Sequence, residues 1–196
     1  MRMGWLVLAV AIWLIGTPLR AVAGEIPPEP STPALLDQLA STYTTPKAVA
    51  DFLHHAFTFT RDEELFGEAD RWQSPEEFVA RKAGDCEDYA LPTRTLLRRN
   101  GIEAFIFSVF GKDGYAHTVC VFVNHRGRYN VIDVDKLRAL DVKSLEGVAS
   151  WLSPGWTVGA IAEQAGARGQ VVTQLTNSHP ASFLASFTDP VANVLF

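Results

Sequence analysis

The sequence predicts an α+β fold in which a helix that carries a cysteine precedes an antiparallel sheet. Residues 85–99 begin with DCEDYAL and end before Asn100-Gly101, a pair typical of helix ends. Three runs rich in β-branched and aromatic residues follow, at 103–110, 116–123 and 128–134, and turn residues separate them. A helix followed by an antiparallel meander indicates α+β organisation.

Two helices are predicted upstream of this unit. Pro46 suits the first turn of a helix that runs to about Phe57. Further along, Ser74 is a natural N-cap, and Glu77 completes a capping box for a second helix that ends at Gly84.

The flanking segments carry weaker signals. Residues 24–45 are rich in proline, so we expect an N-terminal arm with little regular structure. The core is expected at 46–142. Residues 144–152 favour a short helix, but the rest of 143–196 shows no clear periodicity, so we expect a C-terminal extension that is helical or irregular.

The first 23 residues have the three-part pattern of a secretory signal peptide. Arg2 gives a positive start, an apolar run extends from Trp5 to Gly16, and Ala21-Val22-Ala23 has the form of a cleavage site. The run is short for a membrane span, although an uncleaved anchor is the alternative. The mature protein is therefore expected to begin near Gly24, to work in the periplasm or outside the cell, and to meet the membrane only through this segment.

The charge balance argues against a nucleic-acid partner. The net charge is -5, from 17 basic and 22 acidic side chains. Phosphate binding needs a concentrated basic face. The one dense basic group, Arg94 with Arg98 and Arg99, has the spacing of a solvated helix end.

Cys86 has the position expected of an activated nucleophile. It lies in the first turn of the predicted helix, where unpaired N–H groups and the helix dipole favour a thiolate. Its neighbours Asp85, Glu87 and Asp88 oppose this effect unless they are capped, ion-paired or bound to a cation. The alternatives are that Asp85 is simply the N-cap and that Cys86 is a structural residue.

A thiol nucleophile also needs a base, and His117 is the candidate. If a three-residue loop joins the second and third strands, Asp133 lies directly opposite His117 and can hold one imidazole nitrogen. A shift of two residues places Asp135 there instead. Cys120 lies three residues beyond His117, so it is expected on the opposite face as a buried free cysteine. A disulfide with Cys86 is the alternative in an oxidising compartment.

These motifs resemble a known family. The runs GDCEDYA (84–90), AHTV (116–119) and VID (131–133), joined to the upstream DRWQSPEEF (70–78), resemble the bacterial transglutaminase-like cysteine peptidases. That family includes LapG-type periplasmic proteases, which clip surface adhesins. The resemblance covers about 45–140 and implies a papain-like, transglutaminase-like core with the nucleophile helix packed on an antiparallel sheet.

The resemblance also implies roles for individual residues. Cys86 would be the nucleophile, His117 the general base and acid, and Asp133 the residue that orients the imidazole. Trp72 or Gln73 would help to build the oxyanion site, with a core anchor as the alternative role of Trp72. The chemistry requires no cofactor, but Asp85 and Glu87 resemble acidic residues that bind calcium close to the active site of LapG-type proteases.

The expected function is therefore an exported cysteine peptidase or amidase that hydrolyses an amide through an acyl-enzyme on Cys86. Its substrate would be a protein or peptide, such as a surface or envelope protein. Two alternatives remain open: a transglutaminase that passes the same acyl group to an amine, and a non-catalytic binding module that keeps the fold.

Overall fold

A computed structural model describes residues 32–177 of the chain. The predicted signal peptide (1–23), the beginning of the N-terminal arm and the end of the C-terminal extension (178–196) lie outside the described residues. The helices are α1 (Thr32–Thr42), α2 (Pro46–Ala56), α3 (Asp62–Leu65), α4 (Pro75–Arg81), α5 (Cys86–Arg99) and α6 (Leu145–Leu152). Over the described part of the chain, no helix combines the length and the apolar character that a membrane span requires.

The strands form one antiparallel sheet and one small parallel pair. The sheet contains β3 (Ala104–Gly111), β4 (Ala116–Val123), β5 (Tyr129–Asp133), β6 (Lys136–Val142), β7 (Trp156–Ala165) and β8 (Arg168–Thr176). Their order across the sheet is β6-β5-β4-β3-β7-β8. The two-residue strands β1 (Thr58–Phe59) and β2 (Ala83–Gly84) pair in parallel beside it. The α+β class predicted from the sequence is confirmed.

The sheet separates two apolar cores. On one face, α5 packs through residues such as Leu97 against Ile106 and Cys120 of the sheet. On the other face, α6 packs through Val148 against residues that include Phe107 and Val119. Because side chains alternate along a strand, neighbouring residues such as 106 and 107 serve opposite cores. This packing holds the beginning of α5 against one end of β4.

The prediction of a largely irregular arm at 24–45 is wrong over Thr32–Thr42, because these residues form α1. Leu36 and Ala40 lie one helical turn apart and are both buried. The side-chain amide of Asn100 donates to the carbonyl oxygens of Ala40 (3.0 Å) and Tyr43 (3.4 Å), which fixes the end of α1 to the end of α5. Packing on a distant helix therefore decides the structure of this segment.

The prediction of a helical or irregular C-terminal extension is also wrong over residues 156–176. The short helix at 144–152 is present as α6, but β7 and β8 extend the main sheet, and β7 pairs directly with β3. These strands were not predicted because β7 contains several glycine and alanine residues, which are not typical of strands. Ala160 and Ala162 are fully buried, and a Cβ at Gly159 would lie only 2.7 Å from the Phe107 ring. Close packing against β3 selects small residues of weak strand propensity here.

Candidate active site

A buried carboxylate fixes the beginning of α5, where Cys86 is the first helical residue. Asp88 is fully buried, and its Oδ2 accepts a long hydrogen bond from the Asp85 backbone N–H (3.4 Å). Its Oδ1 accepts a hydrogen bond from the Gln73 backbone N–H (2.7 Å). The predicted helix start at Cys86 is therefore confirmed, and the segment before α4 holds it in place. The capping box from Ser74 to Glu77 that opens α4 is confirmed as well.

Gln73 joins three parts of this region. Its side-chain amide donates to the Ala83 carbonyl (2.9 Å) and to Asp88 Oδ2 (2.6 Å), and its Oε1 accepts from Arg81 (2.9 Å). Gly84 passes close to this network, since a Cβ there would lie 2.6 Å from Asp88 Cβ and 2.8 Å from Gln73 Nε2. Residue 84 must therefore be glycine, because Asp88 and Gln73 leave no room for a Cβ there.

His117 and Asp133 form a hydrogen-bonded pair, with 2.7 Å between Nε2 and Oδ1. Each side chain is 23% exposed, so the pair is only partly screened by solvent. Burial raises the pKa of Asp133, but the hydrogen bond and the charge of His117, with Arg138 and Lys136, outweigh it and lower this pKa overall. The carboxylate is therefore ionised and holds the imidazole through Nε2, which leaves Nδ1 for another partner.

The route by which Asp133 reaches His117 differs from the expected one. Val123 pairs with Tyr129, so the loop between β4 and β5 is longer than predicted and the register is shifted by two residues. The expected direct opposition of His117 and Asp133 is wrong. They lie instead on one sheet face as diagonal neighbours, which is within reach of side chains of this length.

Asp135, the alternative partner, is used elsewhere. The chain leaves β5 at Val134, which has a positive φ of 55°, and the Asp135 carboxylate turns to His54 of α2 with 2.7 Å between Oδ2 and Nδ1. The positive φ interrupts the alternation of the strand. It thereby separates the two acids of the VIDVD run.

Cys86 lies beside the beginning of β4, at Thr118, the residue that follows His117. Its sulfur accepts a hydrogen bond from the backbone N–H of Thr118, and its thiol donates to Glu87 Oε2 at 3.1 Å. Burial, followed by the charges of Glu87 and Asp85, raises the pKa of Cys86 well above its usual range. The sequence indicated that the helix start lowers the pKa of Cys86 and that the acidic neighbours raise it. In the structure the raising effects are larger, so the protein groups alone favour the protonated thiol. Both cysteines are free, and Cys120 is fully buried as predicted.

Four acidic residues around Cys86 share one feature. Each has a buried carboxylate oxygen without a hydrogen-bond partner in the described structure, and these residues are Asp62, Asp70, Asp85 and Glu87. Potential ligand atoms of Asp62, Asp70 and Glu87 lie within 4.8 Å of one another, as do those of Asp62, Asp85 and Asp88. Buried carboxylate oxygens without partners are costly unless a cation compensates them. The set fits a hard cation such as Ca²⁺, which takes oxygen ligands.

The pKa values of these carboxyl groups are raised because the groups lie close together and are buried. Burial raises the pKa of Asp62 to about 6 and that of Asp88 to about 7. Burial and the neighbouring Asp85 raise the pKa of Glu87 to about 10. The pKa values of Asp70 and Asp85 are also raised, first by burial. Several carboxylates thus compete for ionisation in one small space.

Sequence reasoning identified only part of this cluster. Asp85 and Glu87 were expected because they flank Cys86, whereas Asp62 and Asp70 were missed. Asp62 opens α3 inside an acidic run and looks like a solvated helix start, yet it is buried and accepts a hydrogen bond from the Arg71 backbone N–H. Asp70 is the first residue of the DRWQSPEEF run, and this run was the signal that could have placed it near the site.

The sequence predicts that Trp72 or Gln73 donates a hydrogen bond to the oxyanion, but both side chains donate to other acceptors in the structure. Trp72 is buried and directs its indole N–H to Asp70, which agrees with the alternative role of a core anchor. Both amide hydrogens of Gln73 are engaged by Ala83 and Asp88. Neither residue has a free N–H to offer, so we correct this expectation.

The chain is similar to several solved structures. LapG of Legionella pneumophila in calcium-bound form is 19% identical, covering 74% of this chain and 80% of that chain with a TM-score of 0.45. The EGTA-treated form of the same protein is 18% identical, covering 67% and 84% with a TM-score of 0.42. No curated protein matches the chain.

The family is shown by a match to the sequence itself. The family described as bacterial transglutaminase-like cysteine proteinase BTLCP matches residues 29–144, which is more than half of the chain. The match includes α5, β4 and β5 and therefore every residue of the Cys86 region described above. The chain belongs to the bacterial transglutaminase-like cysteine proteinases and is a cysteine peptidase.

Proposed function

We propose that Cys86, His117 and Asp133 are the catalytic triad of an exported peptidase. The observation that carries this proposal is the hydrogen bond between His117 and Asp133, on the strand whose next residue, Thr118, contacts Cys86 at the beginning of α5. A nucleophile, a base and a group that orients the base are the minimal parts of acyl transfer through a covalent intermediate.

The proposed reaction uses the three residues in these roles. His117 Nδ1 takes the proton of Cys86, and the sulfur attacks the carbonyl carbon of a peptide bond. The Cys86 backbone N–H, which has no partner within the first turn of α5, donates to the developing oxyanion. His117 then gives its proton to the leaving amine, and a thioester remains on Cys86. A water molecule that loses its proton to His117 hydrolyses this thioester, while Asp133 holds Nε2 throughout.

We also propose that the acidic cluster binds calcium through Asp62, Asp70, Asp85 and Glu87. The support is the set of buried carboxylate oxygens without partners, two of which belong to the nearly inaccessible Asp62 and Glu87. When bound, the cation offsets the acidic charge beside Cys86 and favours the thiolate.

Export of the protein is proposed from residues 1–23, and the substrate class is a protein at the cell surface or envelope. The three-part signal pattern supports this location. Intact-mass measurement of the protein released from the periplasm or medium of expressing bacteria is expected to show an N-terminus at Gly24. A chain that retains residues 1–23 in the membrane fraction would contradict the proposal.

The pair Asp133→Asn and Asp135→Asn tests the triad. Both residues lie in one turn and each contacts a histidine at 2.7 Å, so the substitutions are closely matched. Asp133→Asn is expected to lower kcat by about 10³–10⁴-fold, because the amide no longer holds the imidazole in the required tautomer. Asp135→Asn affects only His54 and is expected to change kcat by less than about twofold.

The measurements are initial rates on fluorescein-labelled casein and the rate constant for alkylation of Cys86 by iodoacetamide, which needs no peptide substrate. Equal rates for the two variants in both assays would exclude Asp133 as the orienting residue. A large loss in Asp135→Asn alone would assign the role to Asp135 instead.

A further inference from the structure

The hairpin of β7 and β8 lies beyond the residues that match the family, yet its tip contacts Trp72, which is two residues from Asp70 of the acidic cluster. The family match ends at residue 144, whereas the hairpin spans residues 156–176. Its turn lies between Ala165 and Arg168 and contacts the segment 70–73 at Trp72. This hairpin has no part in the triad, so its contact with Trp72 calls for a separate explanation.

Two hydrogen bonds hold the main chain of Trp72 against the hairpin. The Trp72 N–H donates to the Ala167 carbonyl at 3.1 Å, and the Gln164 side-chain amide donates to the Trp72 carbonyl at 3.3 Å. Gln164 pairs with Gly169 directly across the hairpin. The backbone of Trp72 is therefore bound on both its donor and its acceptor side by the tip.

The Trp72 ring is held as closely as its backbone. A Cβ at Gly169 would lie 2.7 Å from Cε2 and 2.8 Å from Cη2 of the indole, and closer still to Cζ2. Since real Cβ atoms do not approach so closely, the indole lies against β8 only because residue 169 has no side chain. In this position the indole N–H donates to the Asp70 carboxylate.

Asp70 is the residue that this arrangement serves. Burial disfavours its charge, while Arg168 at the beginning of β8 and the Trp72 indole stabilise that charge. One oxygen of Asp70 is buried without a partner, as in the other acids of the cluster. Second-layer hydrogen bonds of this kind orient metal-binding carboxylates.

We infer that the tip of the β7–β8 hairpin is a positioning device for the cation site. Gly169 and Gln164 hold Trp72, and the Trp72 indole holds Asp70 where its ligand atoms lie beside those of Asp62 and Glu87. The inference rests on the proposed calcium site and adds to it a set of supporting residues from outside the family match.

The test compares Gly169→Ala with Gly159→Ala. Gly159 lies on the same hairpin, and a Cβ there would lie 2.7 Å from Cζ of the Phe107 ring. It is six residues along β7 from the tip, or about 20 Å. Both variants are expected to lower the Tm measured in EGTA. Only Gly169→Ala is expected to weaken calcium binding, by about 10- to 100-fold in the Kd obtained by titration calorimetry of the purified protein with CaCl₂.

A milder pair covers the case in which Gly169→Ala does not fold. Gln164→Ala removes the hydrogen bond to the Trp72 carbonyl, and the exposed Gln170 serves as its control in Gln170→Ala. A calcium Kd raised at least about fivefold in Gln164→Ala, and unchanged in Gln170→Ala, supports the inference. Wild-type affinity in Gln164→Ala and in any folded Gly169→Ala overturns it but leaves the calcium proposal standing. Absence of calcium binding in the wild-type protein overturns both.

Discussion

Replacement of Cys86 by alanine is expected to abolish peptide hydrolysis and to leave the fold intact. Removing the nucleophile of a catalytic triad costs up to about 10⁶-fold in kcat, so a loss of at least about 10⁴-fold is expected in the casein assay. The side chain is partly buried at the beginning of α5 and its thiol contacts the acidic Glu87, so its loss should change the Tm only slightly. Activity and the Tm are the two measurements.

Cys120→Ala is the matched control, because Cys120 is the other cysteine of the chain. It is fully buried between α5 and the sheet, so its truncation should lower the free energy of unfolding by roughly 1–2 kcal/mol and leave kcat within about twofold. A Cys86→Ala variant with unchanged hydrolysis would favour the non-catalytic binding module. Incorporation of a fluorescent amine into casein by the wild-type protein, faster than hydrolysis, would favour the transglutaminase alternative.

The parts of this site that were predictable depend on local signals. The capping box from Ser74 to Glu77 and the helix start at Cys86 were both placed from the sequence, since a cap is decided by residues within one turn. His117 and Asp133 were paired although the assumed register was off by two residues. A shift of two keeps residues on the same sheet face, and for this reason the pairing survived.

The parts that were missed depend on contacts between distant segments. Asp62 has the sequence surroundings of an exposed helix start, and only the fold buries it with Asp70 and Glu87. In the hairpin that contains Gly169, small and polar residues interrupt the strand-forming ones, as in GAIAEQA at 159–165, so the strand pattern is weak. Its structure comes from pairing with β3 and from the Trp72 ring, which no local pattern reveals.

Calcium is expected to stabilise the protein strongly, with EGTA reversing the effect. Four carboxylates, each with one buried oxygen that has no partner, oppose folding, and a bound cation would remove this cost. At a free concentration about 100 times the Kd, binding adds about 2.7 kcal/mol. For a chain of this size that corresponds to a rise in Tm of about 5–10 °C. The measurement is thermal unfolding in CaCl₂ and in EGTA, with MgCl₂ as the comparison.

Asp62→Asn and Glu63→Gln separate the calcium site from general effects of charge. The two residues are neighbours in α3, but Asp62 is buried with a free oxygen whereas Glu63 is exposed. Asp62→Asn is expected to remove most of the calcium-dependent rise in Tm, and Glu63→Gln to keep it. Since the cation offsets the acidic flanks of Cys86, calcium should also speed its alkylation by iodoacetamide in the wild type but not in Asp62→Asn. A calcium response of equal size in both variants would place the cation elsewhere, and the raised pKa of Cys86 would then need another source of compensation.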